Sequence, residues 1–406
     1  MLIHNPRARR VPYPTELRAI MSVTRARESR DWLSSWSRLS PGPTPVRELP
    51  DLAAGLNIGK LYVKDEALRS PLGSFKALGA PIALVRQILR LFPEMEACAV
   101  LDGEYAVTLK DFTVISATDG NHGRSLAAAA HDAGCRCVIV LHANVSMERE
   151  QAIAAYGARI VRITGNYDDS VNEAARLATE NGWHVISDTS YERYEGVPRD
   201  VMQGYSIAAA EVIDQLDAGN APAPVTHVFI QGGVGGLAAA IVSYMWESYG
   251  SERPRFIVVE PQQADCLYQS ALAGEAAKAT GTVDSLMAGL ACGEPSALAW
   301  RFLDTSVDHF MLVSDADAIQ AMRRLAAGTT NDIPVISGES GAAGLAGLLA
   351  LTRQPEDAAQ VGLDAHSRVL VINTEGATAP TVYAECVGEP VESVLERQAA
   401  WTVNAA

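Results

Sequence analysis

Short β-branched runs alternate with alanine-rich stretches through the middle of this chain, and this alternation constrains its fold more than any other feature. The runs predict strands at residues 112–117, 136–141, 159–164 and 184–187. The stretches between them predict helices at residues 122–132, 147–156 and 168–181, each ending near a glycine suited to a left-handed cap. This order is typical of a parallel sheet flanked by helices, so we expect a small α/β unit here.

The same order returns nearer the C-terminus and predicts a second, larger unit. Its strands are expected at residues 226–230, 256–260 and 369–373, with helices after Gly236 and around 341–351. The polar, proline-bearing segment 215–225 is the best linker candidate. A strand at 60–64 and a helix beginning near Ser74 come earlier, and the pattern does not say where they pack.

Composition limits the classes of partner. The 406 residues include 33 basic and 48 acidic ones, a net charge of −15, so the averaged field repels nucleic acids and anionic membranes. No run of about 18 apolar residues predicts a membrane span. The first 30 residues contain seven arginines and are in this respect faintly similar to a transit peptide. Three prolines would interrupt the amphipathic helix that a transit peptide needs. We therefore expect a cytoplasmic protein without nucleic-acid or membrane partners.

Metal and disulfide frameworks are not expected. The six cysteines are too scattered for a stapled scaffold or a paired zinc site, and they fit a reducing compartment. The eight histidines form no metal-ligand pattern.

A glycine-rich segment, residues 231–236 (QGGVGG), follows a predicted strand and opens a helix; we call it the glycine loop. Free backbone amides at such a helix start favour an anion, above all a phosphate. It lacks the Lys-Ser/Thr ending of a nucleotide-binding P-loop. Gly233, Gly235 and Ala238 also satisfy the dinucleotide pattern G-x-G-x-x-A, with Glu260 placed as a ribose-binding acid, so an oxidoreductase stays open. A tight turn without a ligand is the remaining alternative.

A second strand-to-helix connection, residues 116–123 (SATDGNHG), is rich in polar side chains; we call it the polar turn. Thr118 or Asp119 could simply cap the next helix. That interpretation leaves Asn121 and His122 unexplained, whereas hydroxyl, amide and N–H groups together suit a small carboxylate. His122 alone is more typical of a structural than of a catalytic residue.

Lys76 lies at an expected helix start among apolar neighbours, in Ser74-Phe75-Lys76. A surface position is the ordinary interpretation of such a lysine. If it is buried, its amine could instead form a Schiff base with a carbonyl.

Taken in order, Ser74-Phe75-Lys76, the polar turn and the glycine loop resemble the pyridoxal-phosphate enzymes of fold type II, the tryptophan synthase β-subunit type. Within this class the chain is similar to the diaminopropionate ammonia-lyase family. The resemblance rests on the segments 63–66 (VKDE), 117–124 (ATDGNHGR), 166–169 (NYDD), 202–205 (MQGY), 287–295 (MAGLACGEP), 337–341 (SGESG) and 374–376 (TEG). It implies two α/β domains, each with a mostly parallel sheet, and pyridoxal 5′-phosphate in the cleft between them: a small inserted domain, 93–195, and a large domain, 1–92 plus 196–406.

The resemblance also implies roles for individual residues. Lys76 matches the lysine that binds the cofactor covalently and serves as a base, and Asp119 matches a second proton acceptor, used for one substrate enantiomer. Asp188 matches an acid near the site. The implied cofactor contacts are Asn121 at the 3′-oxygen, Asn373 or Thr374 near the ring nitrogen, and Gly232, Gly233, Val234, Gly235 and Gly236 at the phosphate. The implied substrate contacts are Thr118, Asp119, Gly120, His122 and Asp188.

These roles imply elimination of ammonia from 2,3-diaminopropionate to give pyruvate and ammonia, in a homodimer that binds a small amino acid. The alternative is a dehydratase or ammonia-lyase acting on serine, threonine, 3-hydroxyaspartate or another β-substituted amino acid. A catalytically inactive sensor of the same fold is a further alternative, in a different class of function.

The sequence departs from the family pattern at three places. Residues 69–76 read RSPLGSFK where the family usually has Arg-Phe-Gly-Leu-Asn/Pro-Ser/Ala-Phe-Lys. Residues 373–379 read NTEGATA where it has Ser-Thr-Glu-Gly-Asp-Thr-Asp, and Gly232 stands where Ala is common. Cys266 and Cys292 lie in family-like runs, and a disulfide between them is a hypothesis.

Overall fold

Two β-sheets organise the protein, which we describe from a computed structural model for residues 1–118, 120–216 and 223–405. The larger sheet has seven strands and the smaller one has four. The strands in chain order are β1 (Leu2–His4), β2 (Val46–Glu48), β3 (Lys60–Asp65), β4 (Thr113–Ala117), β5 (Arg136–Leu141), β6 (Arg159–Arg162), β7 (His184–Val185), β8 (His227–Gln231), β9 (Arg255–Pro261), β10 (His309–Val313) and β11 (Arg368–Asn373).

Helices cover both sheets. In chain order they are α1 (Thr15–Arg18), α2 (Val23–Leu33), α3 (Pro50–Gly55), α4 (Lys76–Leu91), α5 (Ala97–Leu101), α6 (Ala106–Leu109), α7 (Asn121–Ala133), α8 (Met147–Ala154), α9 (Tyr167–Asn181), α10 (Gly196–Leu216), α11 (Gly236–Tyr249), α12 (Cys266–Ala273), α13 (Ala297–Ser306), α14 (Asp315–Ala327), α15 (Ala343–Thr352), α16 (Pro355–Val361), α17 (Pro380–Val387) and α18 (Val391–Ala405).

The large sheet has the order β1-β10-β9-β8-β11-β3-β2. Its five central strands are parallel, and the short β1 and β2 pair antiparallel at its two edges. The small sheet has the order β6-β5-β4-β7 and is parallel throughout. The strands β8 and β11 are buried on both faces, and their central residues, 228–230 and 369–372, are all apolar, as is typical of central parallel strands.

The long helix α10 packs against α4 and α11 on one face of the large sheet, and α14 and α15 pack together on the other face. Helices α4 and α7 also contact each other, which ties the large sheet to the small one. The carboxyl ends of β4 and β8 both lead into helices, and these two connections frame the site described below.

The strand and helix predictions agree with the structure to within a few residues, and residues 136–141 form β5 with the predicted bounds. The strands β1, β2 and β10 were not predicted. The segment 215–225 was the linker candidate, but its described ends join α10 to β8 within the large sheet and do not connect the two sheets. Residues 217–222 of that segment lie outside the described residues.

Among the helices described here, none combines the length and the apolar character that crossing a membrane requires.

Candidate active site

A cavity of about 860 Å³ lies where the glycine loop and the polar turn face each other. Its walls come from both sheets, with the start of α4 between them. Ligand sites in parallel α/β proteins form at the carboxyl ends of strands, because the connecting loops meet there. The predicted site residues that line the cavity are Lys76, Thr118, Gly120, Asn121, His122, Asp188, Gly232, Gly233, Val234, Gly236 and Thr374.

The glycine loop exposes backbone amides to this cavity. Gly233 and Gly235 have φ values of 64° and 94°, which only glycine adopts without strain. The helix α11 then begins at Gly236 with no side chain capping its first turn. Four backbone N–H groups at a helix start lack intrahelical partners, so this end is suited to an anion.

The polar turn uses a side chain to hold its shape. The Thr118 hydroxyl accepts hydrogen bonds from the amides of Gly120 and Gly123, both at 3.0 Å. Gly120 has a φ of 149°, and a Cβ at Gly123 would lie 2.4 Å from the Thr118 methyl group. Thr118 therefore supplies the helix-capping interaction that the sequence allowed for either Thr118 or Asp119. Asp119 itself lies outside the described residues.

Lys76 is the first residue of α4, and its ammonium contacts a carboxylate. Its Nζ lies 2.5 Å from Oδ2 of Asp188 and 5.5 Å from the centre of the Tyr205 ring. Burial alone would lower the pKa of Lys76, but Asp188 and Tyr205 raise it well above its usual value. Burial would likewise raise the pKa of Asp188, yet Lys76 holds it well below its usual range. The two residues thus form a partly buried ion pair at the wall of the cavity.

His122 borders the same ion pair. Its Nε2 lies 2.8 Å from the Ile186 carbonyl oxygen, so Nε2 carries the proton, and Nδ1 lies 3.7 Å from Oδ2 of Asp188. Burial lowers the pKa of His122 despite that carboxylate. His122 is therefore neutral at pH 7 and presents its Nδ1 lone pair toward the Asp188 side.

Asn121 bonds to a carboxylate that sequence reasoning did not assign to the site. Its Nδ2 donates to Oε2 of Glu375, which also accepts from the Thr378 hydroxyl at 3.2 Å. The other oxygen of Glu375 accepts from the Ser340 amide at 3.1 Å. Because the carboxylate takes one amide hydrogen of Asn121, the orientation of that amide is fixed and its second hydrogen is available to a ligand.

The two candidates for the ring nitrogen differ in position. Thr374 lines the cavity, and its carbonyl accepts from the Phe75 amide at 3.0 Å. Asn373 does not line it: its Nδ2 donates to Asp65 at 2.9 Å and to the Ile336 carbonyl at 2.8 Å. Gly235 also lies behind the lining, packed near Leu303.

Several cavity residues were not assigned a role from sequence. They are Phe75, Arg149, Tyr167, Tyr205, Gln231, Leu237, Gly289, Leu290, Cys292, Ser340 and Glu375. Most of them lie within the segments that resemble the family or within the glycine loop. Their place in those segments is the sequence feature that could have indicated them as site residues. No disulfide joins Cys266 to Cys292 in the structure. The Cys266 thiol instead donates to the Gly233 carbonyl, with a sulfur-to-oxygen distance of 3.5 Å.

Comparisons with known proteins agree with this geometry. Residues 38–375 match the family described as pyridoxal-phosphate dependent enzymes. The diaminopropionate ammonia-lyase of Salmonella typhimurium is 38% identical over 85% of this chain and 87% of its own length. That of Escherichia coli K12 is 37% identical over 87% of this chain and 89% of its own length.

Solved structures give the same result. The Escherichia coli diaminopropionate ammonia-lyase in complex with an aminoacrylate-PLP azomethine reaction intermediate superimposes with a TM-score of 0.86, at 34% identity, covering 95% of this chain and 96% of that one. Its complex with D-serine also has a TM-score of 0.86, at 34% identity, covering 97% and 98%. The fold is therefore fold type II, as the sequence resemblance predicted.

The residues present fit pyridoxal phosphate, since a partly buried lysine lines the same cavity as uncapped helix amides and an oriented asparagine amide. The oxidoreductase alternative is wrong, because Glu260 is buried and accepts from the Leu267 and Tyr268 amides at 3.0 and 2.7 Å rather than facing a ligand. From this geometry and these comparisons it follows that the chain belongs to the diaminopropionate ammonia-lyases within the pyridoxal-phosphate dependent enzyme family.

Proposed function

We propose that this chain eliminates ammonia from 2,3-diaminopropionate and yields pyruvate and a second ammonia. The observation that carries the proposal is the contact between Lys76 and Asp188 in a cavity bounded by both the glycine loop and the polar turn. The relatives named diaminopropionate ammonia-lyase, at 37% and 38% identity over most of the chain, support this choice of reaction.

Cofactor binding is divided between the two sheets. Lys76 binds the aldehyde of pyridoxal phosphate, and the amides of residues 232–236 bind its phosphate. Asn121 faces the 3′-oxygen, and Thr374 is better placed than Asn373 to meet the ring nitrogen because only Thr374 lines the cavity. When bound, the cofactor supplies a conjugated ring that lowers the barrier to loss of the α-proton of an amino acid.

The polar turn binds the substrate carboxylate. Thr118 already accepts two backbone hydrogen bonds, so its hydroxyl hydrogen is free to donate to that carboxylate. Gly120 and His122 line the cavity beside Thr118. The positive end of α7, which starts at Asn121, adds a favourable field for the anion.

Proton transfer is assigned to Lys76 and, for the opposite enantiomer, to Asp119. As the α-proton leaves, the Cβ–N bond breaks and its electron pair departs with ammonia; water then converts the released enamine to pyruvate and a second ammonia. The overall balance is one diaminopropionate plus one water to one pyruvate plus two ammonia. The Asp188 carboxylate holds the Lys76 ammonium and attracts a cationic β-substituent, which a neutral hydroxyl would not need.

A β-hydroxy amino acid is the second candidate substrate. Ala377 and Ala379 replace two acids of the family pattern, and the Escherichia coli relative has been solved with D-serine. We would measure pyruvate and ammonia release from both enantiomers of 2,3-diaminopropionate, serine, threonine and 3-hydroxyaspartate. A kcat/KM at least about tenfold higher for diaminopropionate is expected, because a paired charge adds about 1–2 kcal/mol of selective binding. A higher value for a hydroxy amino acid would establish the second candidate instead.

Asp119→Asn tests the two-base assignment. We expect one enantiomer of diaminopropionate to lose about 100-fold or more in kcat while the other loses far less, because only one face of the substrate relies on this carboxylate. Chiral substrates and a pyruvate assay give the measurement. Equal and small losses would show that Asp119 is only part of the turn.

We further propose a cytoplasmic homodimer in which residues 93–195 form a small domain and residues 1–92 plus 196–406 form the large one. Strands β4 to β7 all fall within the small range, which supports those boundaries. Light scattering of the purified chain would give the assembly size, and a monomer would refute the dimer.

A further inference from the structure

Glu260, the acid that the sequence offered for a ribose, lies directly against the glycine loop. It is near the end of β9 and only 1% exposed. A Cβ at Gly232 would lie 2.5 Å from Cγ of Glu260 and 3.3 Å from its Oε1. The glutamate side chain therefore occupies the space that any side chain at position 232 would need. This gives a physical reason for glycine where the family commonly has alanine.

Hydrogen bonds join Glu260 to α12, and the first residue of α12 contacts the glycine loop. Its Oε1 accepts from the Leu267 amide at 3.0 Å and its Oε2 from the Tyr268 amide at 2.7 Å. The Cys266 thiol lies 3.7 Å from Oε1 and donates to the Gly233 carbonyl, with 3.5 Å between sulfur and oxygen. The carboxyl group, the start of α12 and the glycine loop thus form one connected unit.

The charge of Glu260 has no cationic partner among the described residues. The titratable groups that face it are Asp265, an acid, and the Cys266 thiol. Burial is the main reason that its pKa rises to about 8, and Asp265 adds to the rise against the two backbone amides. At pH 7 the group is therefore mostly a neutral carboxylic acid, and it ionises in the mildly alkaline range.

We propose that Glu260 is a positioning residue for the phosphate site: as a neutral acid it supports the glycine loop in the shape that binds a phosphate dianion, and as a carboxylate it weakens that binding by repulsion. The inference rests on the proposed role of the glycine loop as the phosphate site. It is independent of which amino acid the enzyme uses.

The sign of the pH effect follows from linkage. A bound dianion disfavours a second negative charge nearby, so phosphate binding must raise the pKa of Glu260. Phosphate affinity then falls as pH rises through the pKa of Glu260. The total loss is about tenfold for each pH unit by which bound phosphate raises that pKa. Pyridoxal phosphate itself is already a dianion above about pH 7, so its own phosphate contributes little to this change.

The test uses pyridoxamine 5′-phosphate, which cannot form an imine with Lys76, and the full chain stripped of cofactor. Its dissociation constant is measured at pH 7.0 and 9.0 for the wild type and for Glu260→Gln. We expect the wild type to weaken about tenfold more than the variant between these pH values, because titration of the probe and of Lys76 is common to both. Equal weakening in the two proteins would overturn the proposal.

A double-mutant cycle at positions 232 and 260 is a second experiment, which does not require Glu260→Gln to fold. Gly232→Ala should weaken the same probe at least about tenfold in the wild type, yet have little effect beside Glu260→Ala, which removes the colliding Cγ. If the losses of probe affinity in Gly232→Ala and Glu260→Ala add in the double variant, the close contact between the two positions does not matter for phosphate binding. Pyridoxamine without the phosphate serves as a comparison ligand. If it binds as tightly as pyridoxamine 5′-phosphate, the glycine loop is not the phosphate site and the proposal for Glu260 is wrong with it. If only the pH difference between the wild type and Glu260→Gln is absent, the phosphate site stands and the role of Glu260 is wrong.

Discussion

The glycine loop and the polar turn have the same local design but opposite chemistry. Each follows the carboxyl end of a parallel strand, opens a helix and contains a glycine with positive φ. The glycine loop presents backbone amides to the cavity, and after Gln231, whose amide donates to the Ser340, Gly341 and Ile372 carbonyls, its side chains are absent or apolar. The polar turn presents the side chains of Thr118, Asn121 and His122. The two sheets therefore line one cavity in different ways, and we propose that the glycine loop is a main-chain anion cradle that faces a set of directional side chains.

This difference predicts different sensitivities. A main-chain cradle fails when a new Cβ distorts the backbone, and it should then lose the cofactor. A side-chain set fails when a donor or acceptor is replaced, and it should then lose rate while the cofactor stays bound. Lys76 lies between the two regions and should be sensitive in both respects.

Lys76→Ala should give the largest effect. We expect kcat for diaminopropionate to fall about 1,000-fold or more, because covalent attachment and the proposed base are both removed. The near-ultraviolet and visible absorption of the bound cofactor should change as well. Lys60→Ala is the matched control, since Lys60 is an exposed lysine paired with Glu48 on the surface. Normal turnover in Lys76→Ala would show that another residue holds the cofactor.

Gly235→Ala tests the main-chain cradle. The φ of 94° disfavours a side chain by about 1–2 kcal/mol, and the new Cβ would lie 2.9 Å from Leu303. We expect cofactor affinity, measured by fluorescence titration, to fall about tenfold or more. Gly182→Ala is the control, because Gly182 has a φ of 69° with nothing within 4 Å and caps α9 away from the cavity. Equal cofactor retention in the two variants would contradict the cradle.

Glu375→Gln tests the side-chain set. A glutamine can turn an N–H toward Asn121, so the asparagine amide loses its fixed orientation. We expect kcat/KM to fall about tenfold, with a shifted absorption maximum and near-normal cofactor affinity. Exposed Glu385→Gln serves as the control. If Glu375→Gln instead loses cofactor affinity while the cofactor-loaded enzyme keeps its rate, the polar turn holds the cofactor, contrary to the expected difference between the two regions.

His309→Gln should have the smallest effect, since this residue begins β10 at the opposite end of the large sheet. Burial lowers the pKa of His309 to about 4, whereas the unfolded chain takes up the proton near 6.5. The unfolded state binds more protons between these values, so the free energy of unfolding falls as pH decreases from about 6.5 to 4. Urea titrations at pH 7 and 5 should show a loss about 1 kcal/mol smaller in the variant, with catalysis at pH 7 unchanged. An equal loss of unfolding free energy in the wild type and the variant would show that groups other than His309 cause the acid sensitivity.

Local sequence patterns predict the secondary-structure elements and turns that depend on residues close together in the chain. Strand β5, the helices of the small sheet and the glycine loop have periodicity or turn residues that fix them locally. The strand β1 was missed because it has three residues and exists only by pairing with β10. Such a short segment carries no period of its own.

Contacts between distant segments could not be predicted from pattern. Lys76 and Asp188 are 112 residues apart, and their ion pair depends on how the two sheets meet. Asn121 and Glu375 are 254 residues apart. Asn373 and Thr374 are adjacent, so one faces the cavity while the other points toward Asp65, and only the strand register decides which. The family resemblance implied roles for Lys76, Asn121 and Asp188 but none for Glu375, and the pairing of these residues follows from the fold.

Borohydride reduction of the holoenzyme tests whether the glycine loop, the polar turn and Lys76 form one cofactor site. Reduction fixes the cofactor to the amine that holds it, and peptide mass spectrometry then locates the modified residue. We expect the label on Lys76 and no label in Lys76→Ala. A label on a different lysine, or an unlabelled protein that still turns over substrate, would contradict it.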